Sequence, residues 1–258
     1  MELEGRHVVV TGAGRGIGRA LALRFADEGA RAVVVSDMDE ANARQVAREV
    51  GGVAITADVG REQDIRKLIN RAEGVNGPID LFFSNAGITG PTGGPEILDA
   101  DWDLLWRVNT LAHVWAARAL LPGMLERGDG YLCSTASAAG LLAQLGAVGY
   151  TVTKHAAVAL AEWLSMTYGD RGIRVSCLCP QYVRTPMVTE GELPVDKLEQ
   201  VATILEPEQV ADAVVEAIRD ERLLILPHPE VGTYMEHRAG DHERWLRGMR
   251  RLQGYLQV

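Results

Sequence analysis

The sequence predicts an α/β protein, a doubly wound parallel sheet of about seven strands with helices on both faces. Three observations carry that prediction. Short apolar runs bounded by turn residues recur as HVVVTG, RAVVVSD, VAITAD, IDLFFSNAG, YLCSTAS, IRVSCLCP and LLILP. Longer segments with helical periodicity lie between them, an alternation that builds a parallel sheet. The runs are nearly continuous in apolar residues, as strands covered on both sides must be. At 258 residues the chain, residues 1–258, is read as one large domain.

Hydrophobic residues make up 47% and charged residues 24%, the balance of an ordinary globular protein. The formal net charge of −9 argues against a nucleic-acid partner, because phosphate contacts need clustered Lys and Arg. No stretch of about 18 apolar residues runs uninterrupted, so no membrane span is expected. The opening MELEGRHVVVTG enters a strand without the pattern of a signal peptide, and the expected location is cytoplasmic. Cys133, Cys177 and Cys179 lie in apolar runs and read as buried free thiols, with no metal site expected.

The first strand leads into TGAGRGIGRALALRFADEG, a glycine loop opening an amphipathic helix. Glycines let backbone amides approach a pyrophosphate, and the helix N-terminus adds unpaired N–H groups and partial positive charge. The spacing is T-G-x-x-x-G-x-G through Thr11, Gly12, Gly16 and Gly18, with Arg15 and Ile17 between. The second strand ends at Asp37, where a carboxylate can bind an adenosine ribose and repel a 2′-phosphate. NAD is therefore expected over NADP, although the cation of Arg15 pulls the other way. The structural alternative for Asp37 is a cap on the helix starting near Asp39.

The third strand ends near Asp58 and Val59, and the fourth near Asn85, Ala86 and Gly87. A Gly- and Pro-rich loop, GITGPTGGPEILDAD, follows. Asn109 then sits in DLLWRVNTLAHVW, a largely apolar helix in which its amide competes for backbone hydrogen bonds. Trp102, Trp106 and Trp115 make this segment apolar around much of its circumference, which places it in the core or at a subunit contact. Ser137 closes the fifth run. In GYTVTKHAAVAL, Tyr150 and Lys154 stand four apart on one helical face. After the sixth run come Pro180 and Gln181, then a segment long for a βα connection. Both long loops leave the carboxyl ends of strands, where open α/β sheets bind ligands.

These motifs, in this order, resemble the short-chain dehydrogenase/reductases over nearly the whole chain up to about Pro227. The resemblance implies a Rossmann-type fold and hydride transfer between a nicotinamide and a secondary alcohol or ketone. It assigns the acid/base role to Tyr150, a hydrogen bond on the reacting oxygen to Ser137, the nicotinamide ribose to Lys154, and a relay water to Asn109. A free phenol has a pKa of about 10, and the nearby Lys154 together with the positive ring of an oxidised nicotinamide is expected to lower it. Gly12, Arg15, Gly16, Ile17, Gly18, Asp37, Asp58, Val59, Asn85, Ala86, Gly87, Tyr150, Lys154, Pro180, Val183 and Thr185 fall at cofactor positions, Val183 and Thr185 on the carboxamide. The family usually has Pro-Gly where this chain has Pro180-Gln181. A homodimer or homotetramer built through the Asn109 and Tyr150 helices is also implied.

Ser137, Leu141, Leu142, Leu145 and Tyr150, with Tyr182 and Met187 opposite, are expected to border the substrate, favouring an apolar or aromatic secondary alcohol or ketone. A lid is expected over about 186–206. Its carboxylates, with Lys197 the one cation, weigh against a phosphate-bearing thioester. An NADPH-dependent 3-oxoacyl-thioester reductase is thus the second reading, and a non-catalytic nicotinamide-binding regulator the third. The tail at 228–258 departs from the family. Within it Trp245, Met249 and Leu252 recur at helical spacing beside Arg247, Arg250 and Arg251, a helix expected to dock on its own or a neighbouring subunit. His228, His237 and His242 read as surface histidines.

Overall fold

The structure, a computed structural model, describes residues 1–190, 198 and 202–256. Seven parallel strands form the sheet: β1 (His7–Thr11), β2 (Ala32–Asp37), β3 (Val53–Thr56), β4 (Leu81–Ser84), β5 (Gly130–Thr135), β6 (Ile173–Leu178) and, at the far edge, Leu224–Ile225. Each corresponds to one of the seven apolar runs in the sequence. The chain winds outward from β1 through β2 to β3, then returns to lay β4, β5, β6 and the edge strand on the other side. The winding reverses between β1 and β4, and a crevice opens there.

Helices α1 (Gly16–Asp27), α2 (Glu40–Glu49), α3 (Glu62–Asn76), α4 (Asp99–Trp106), α5 (Ala112–Arg127) and α6 (Val148–Tyr168) join the first six strands. A short ribbon then pairs β7 (Tyr182–Val183) with β8 (Ile204–Leu205), so that the edge strand is β9. Helices α7 (Pro186–Thr189) and α8 (Pro207–Arg219) flank β8, and α9 (Glu230–Gly240) and α10 (His242–Leu256) complete the described chain.

Alternation along a strand sends neighbouring side chains to opposite faces. On β1, Val8 and Val10 pack with Leu21, Phe25 and Val214, whereas Val9 packs with Leu68, Leu120 and Leu164. All five β1 residues are buried. Among the described residues, no helix is long and apolar enough to cross a membrane. The three cysteines are buried free thiols.

Two local features matter for the site. Between α4 and α5, residues Arg107–Leu111 form a π-helical turn around Asn109, the wider winding that often marks a functional position. The loop after β4 is tied to the start of α6, since Gly93 N–H donates to Gly146 O at 2.7 Å and Val148 N–H donates to Gly93 O at 3.2 Å. Within the expected lid at 186–206, residues 191–197, which include Lys197, and 199–201 lie outside the described residues. Leu198 is buried.

Candidate active site

The glycine loop fills the crevice between β1 and β4. Gly12 has φ +62°, and a Cβ there would lie 2.8 Å from Ala86 Cα, so a side chain would be both strained and blocked. A Cβ on Gly18 would lie 2.1 Å from the Gly12 carbonyl oxygen. These contacts press α1 against the end of β1. The N-terminus of α1 carries no side-chain cap and no acid in its first turn. Its free N–H groups and partial positive charge fit the pyrophosphate of a dinucleotide.

Asp37 closes one side of the loop. Its Oδ2 accepts from Gly14 N–H at 2.9 Å and its Oδ1 from Asp39 N–H at 3.0 Å. Asp39, not Asp37, caps α2, accepting from Ala41 and Asn42 N–H. Arg15 is exposed at the loop and makes no ion pair among the described residues. Asp58 accepts from Gly60 N–H at 2.9 Å and faces Arg61, with Val59 half-buried beside it.

Asn85 braces the floor of the crevice. Its Nδ2 donates to Thr11 O at 3.0 Å and its Oδ1 accepts from Thr135 Oγ1 at 3.0 Å. Thr11 Oγ1 also accepts from Asn85 and Ala86 N–H. The other wall is Thr185, whose Cγ2 lies 3.1 Å from where a Gly16 Cβ would stand.

Past this loop, Tyr150 and Lys154 project from α6. Lys154 is buried, its Nζ donating to Thr135 O at 2.9 Å and lying 5.6 Å from the centre of the Tyr150 ring. A Cβ on Gly87 would sit 3.1 Å from Lys154 Nζ and 3.3 Å from Asn109 Oδ1, so these groups converge on one point. Asn109 exchanges two 2.9 Å hydrogen bonds with the Ile88 backbone, Ile88 N–H donating to Oδ1 and Nδ2 donating to Ile88 O. Its Nδ2 also donates to Thr153 Oγ1 at 3.3 Å. Ser137 accepts from Ala139 N–H at 3.1 Å and donates to Pro180 O at 3.4 Å.

Electrostatics here correct one expectation. Burial raises the Tyr150 phenol above its ordinary pKa, with a hydrogen bond to Ser137 working against the rise. The sequence supplied a cation for Tyr150 but not the desolvation of the pair. Burial also pushes Lys154 down to about 8. His113, one turn beyond Asn109, is driven to about 3 by burial and then by the charge of Lys154, so its ring is neutral at physiological pH.

The residues expected around the substrate are spread along the rim. Leu141 and Leu142 are buried, Leu145 and Tyr182 half-buried, and Met187 is 45% exposed on α7. Leu141 borders an open depression with Met235, Arg238, Ala239 and His242 from the tail, and its carbonyl accepts from Arg238 Nη1. His228 is a second correction. It is 1% exposed, not a surface residue, because the turn after β9 folds it against Gln181 and Tyr182. Thr135 and Thr153, which anchor Lys154 and Asn109, were also missed, and a hydroxyl in an apolar run is too common a signal to single them out.

Comparison with known proteins decides the family, since residues 6–194 match the family model described as short chain dehydrogenase. The chain belongs to the short-chain dehydrogenase family. Its relatives include 1-deoxy-11-beta-hydroxypentalenate dehydrogenase of Streptomyces exfoliatus, 37% identical over 89% of this chain and 86% of that protein. Cyclohexanol dehydrogenase of Acinetobacter sp. strain SE19 is 33% identical over 83% of this chain and 87% of that one. A short-chain dehydrogenase/reductase from Burkholderia phymatum, solved in complex with NAD, superposes with a TM-score of 0.84 at 28% identity, covering 94% of this chain and 96% of that one. This short-chain dehydrogenase is accordingly an oxidoreductase acting on CH–OH groups or the corresponding ketones with a nicotinamide cofactor.

Proposed function

We propose that this short-chain dehydrogenase uses NAD(H) to interconvert an apolar or aromatic secondary alcohol and its ketone, with Tyr150 as the acid/base. The observation that carries the reading is the convergence of Lys154 Nζ and Asn109 Oδ1 on Gly87, with the Tyr150 ring 5.6 Å from Lys154 Nζ. A bound nicotinamide accepts or donates the hydride. Tyr150 takes the proton from the carbinol oxygen in oxidation and returns it to the ketone in reduction. Ser137 donates to the reacting oxygen and steers it to the phenol. Lys154, still charged at neutral pH with a pKa of about 8, favours the phenolate that burial opposes. Asn109 supports the proton path from Lys154 toward solvent.

Asp37 supports NAD, because its carboxylate stands at the end of β2 where a 2′-phosphate would meet negative charge. The named substrates of the two curated relatives support a cyclic secondary alcohol as the substrate class. Exposed Leu104 and Trp106 on α4, with Val152, Trp163 and Met166 on α6, support a homodimer or homotetramer through these helices.

The test is nicotinamide reduction by the purified protein across a panel of cyclic, aromatic and open-chain secondary alcohols, with NAD and NADP side by side. Turnover with NAD on an apolar alcohol is expected. A native preference for NADP, which exposed Arg15 would favour, together with turnover of 3-oxoacyl thioesters replaces this reading with a thioester reductase.

A further inference from the structure

The fold brings Gln181, which follows Pro180 after β6, into contact with the tail after Pro227. His228 Nδ1 accepts from Gln181 N–H at 3.2 Å. The proton of the neutral ring therefore sits on Nε2, which donates to Tyr182 O at 3.2 Å. Both ring nitrogens are spent on one turn of backbone. That turn needs holding, because Gln181 Oε1 is buried without a hydrogen-bond partner, an arrangement that works against this conformation.

The turn also lies between two parts of the site. On one side, Pro180 O accepts from Ala138 N–H at 2.8 Å and from Ser137 Oγ. On the other, Val183 is buried on β7 and Thr185 packs against Gly16. From His228 the chain enters α9, which ends with Arg238 donating to Leu141 O, four residues past Ser137. Helix α9 thus spans from the Gln181 turn to the Leu141 loop.

We propose that His228 is a positioning residue, fixing the Gln181–Tyr182 turn so that Val183 and Thr185 meet the nicotinamide end of the cofactor, with α9 and Arg238 bracing it against the Leu141 loop. The inference rests on the reading of Val183 and Thr185 as cofactor contacts.

The experiment compares binding of NADH and of ADP-ribose, which lacks the nicotinamide, to wild type, His228→Leu and His228→Asn. The loss of two hydrogen bonds in His228→Leu weakens NADH binding about tenfold and raises the KM for NAD more than it lowers kcat. ADP-ribose binding stays unchanged, and His228→Asn, which keeps an acceptor for Gln181 N–H, recovers most of the NADH affinity. Should the leucine variant fail to fold, His228→Ala carries the same comparison. Unchanged NADH binding, or equal loss of both ligands, overturns the positioning role. Equal affinity of the wild type for NADH and ADP-ribose removes the underlying assignment of Val183 and Thr185 instead.

Discussion

On the nucleotide side of the crevice the decisive contacts run through the main chain. Gly12 meets the Ala86 backbone, Gly18 meets the Gly12 carbonyl, and Asp37 accepts from the N–H groups of Gly14 in the loop and of Asp39. On the side assigned to substrate they run through side chains from distant segments: Lys154 on Thr135, Asn109 on Ile88, His228 on Gln181, Arg238 on Leu141. Backbone contacts constrain the residue type at one position, as at Gly12 and Gly18, where a side chain would clash. Side-chain contacts across the fold constrain only pairs that the chain has first to bring together. The first side should therefore tolerate little change but lose function in a predictable direction, while effects on the second depend on what each side chain touches.

The largest expected effect is on the second side. Tyr150→Phe should lower kcat by about 10²–10⁴-fold, the usual contribution of a positioned acid/base, while leaving NADH affinity close to wild type. Steady-state kinetics with a binding titration checks it, and unchanged turnover would remove Tyr150 from its role.

Lys154 sharpens the comparison because it is placed at the expense of stability. Its pKa of about 8 in the folded protein, against 10.5 when free, means the unfolded chain binds more protons between those values. Stability therefore rises with pH across that window, and at neutral pH the buried charge costs roughly 3 kcal/mol. Lys154→Met should abolish turnover yet raise unfolding free energy at pH 7 by about 1–2 kcal/mol, after losing the bond to Thr135. The gap to wild type should narrow as pH rises above about 8. Denaturant melts at pH 7 and pH 9.5 decide it, and a less stable methionine variant at pH 7 would mean the charge is well compensated.

Asp37→Ala probes the main-chain side. Removing the carboxylate should shift the ratio of kcat/KM for NAD to that for NADP about tenfold toward NADP, since one repulsive charge contributes on the order of 1.4 kcal/mol. Leaving Gly14 and Asp39 N–H without their acceptor should also cost about 1 kcal/mol of stability. An unchanged cofactor ratio with lowered stability would make Asp37 a purely structural acceptor.

The same contrast explains how far the sequence could be read. All seven sheet strands and the glycine loop were legible because each depends on local spacing, and Tyr150 and Lys154 share a face by their separation alone. Asn109 announced an irregular helix, though not that the irregularity would be a π-helical turn. The β7–β8 ribbon was missed because two-residue strands carry no periodicity. The rise in the Tyr150 pKa depends on burial, which spacing does not encode. His228 was misread because its partner lies 47 positions away, and nothing local to LPHPEV shows that β9 returns it to Gln181.

The smallest expected effect divides the tail itself. Helix α9 reaches the site through its two ends, whereas α10 has no buried residue among those described: Trp245 packs partly on the core, with its ring 6.5 Å from that of Tyr234, and Leu252 and Tyr255 are exposed. Ending the chain at Asp241 should therefore leave kcat/KM within about twofold and lower stability by about 1–2 kcal/mol, the burial of part of one aromatic side chain. Ending it at Pro227 removes His228 and Arg238 and should weaken NADH binding at least as much as His228→Leu. Light scattering on the shorter truncation reads whether the apolar face of α10 joins subunits. If activity falls as far without α10 as without the whole tail, the boundary between site and appendage lies beyond Asp241, and the strut is the helical pair rather than α9 alone.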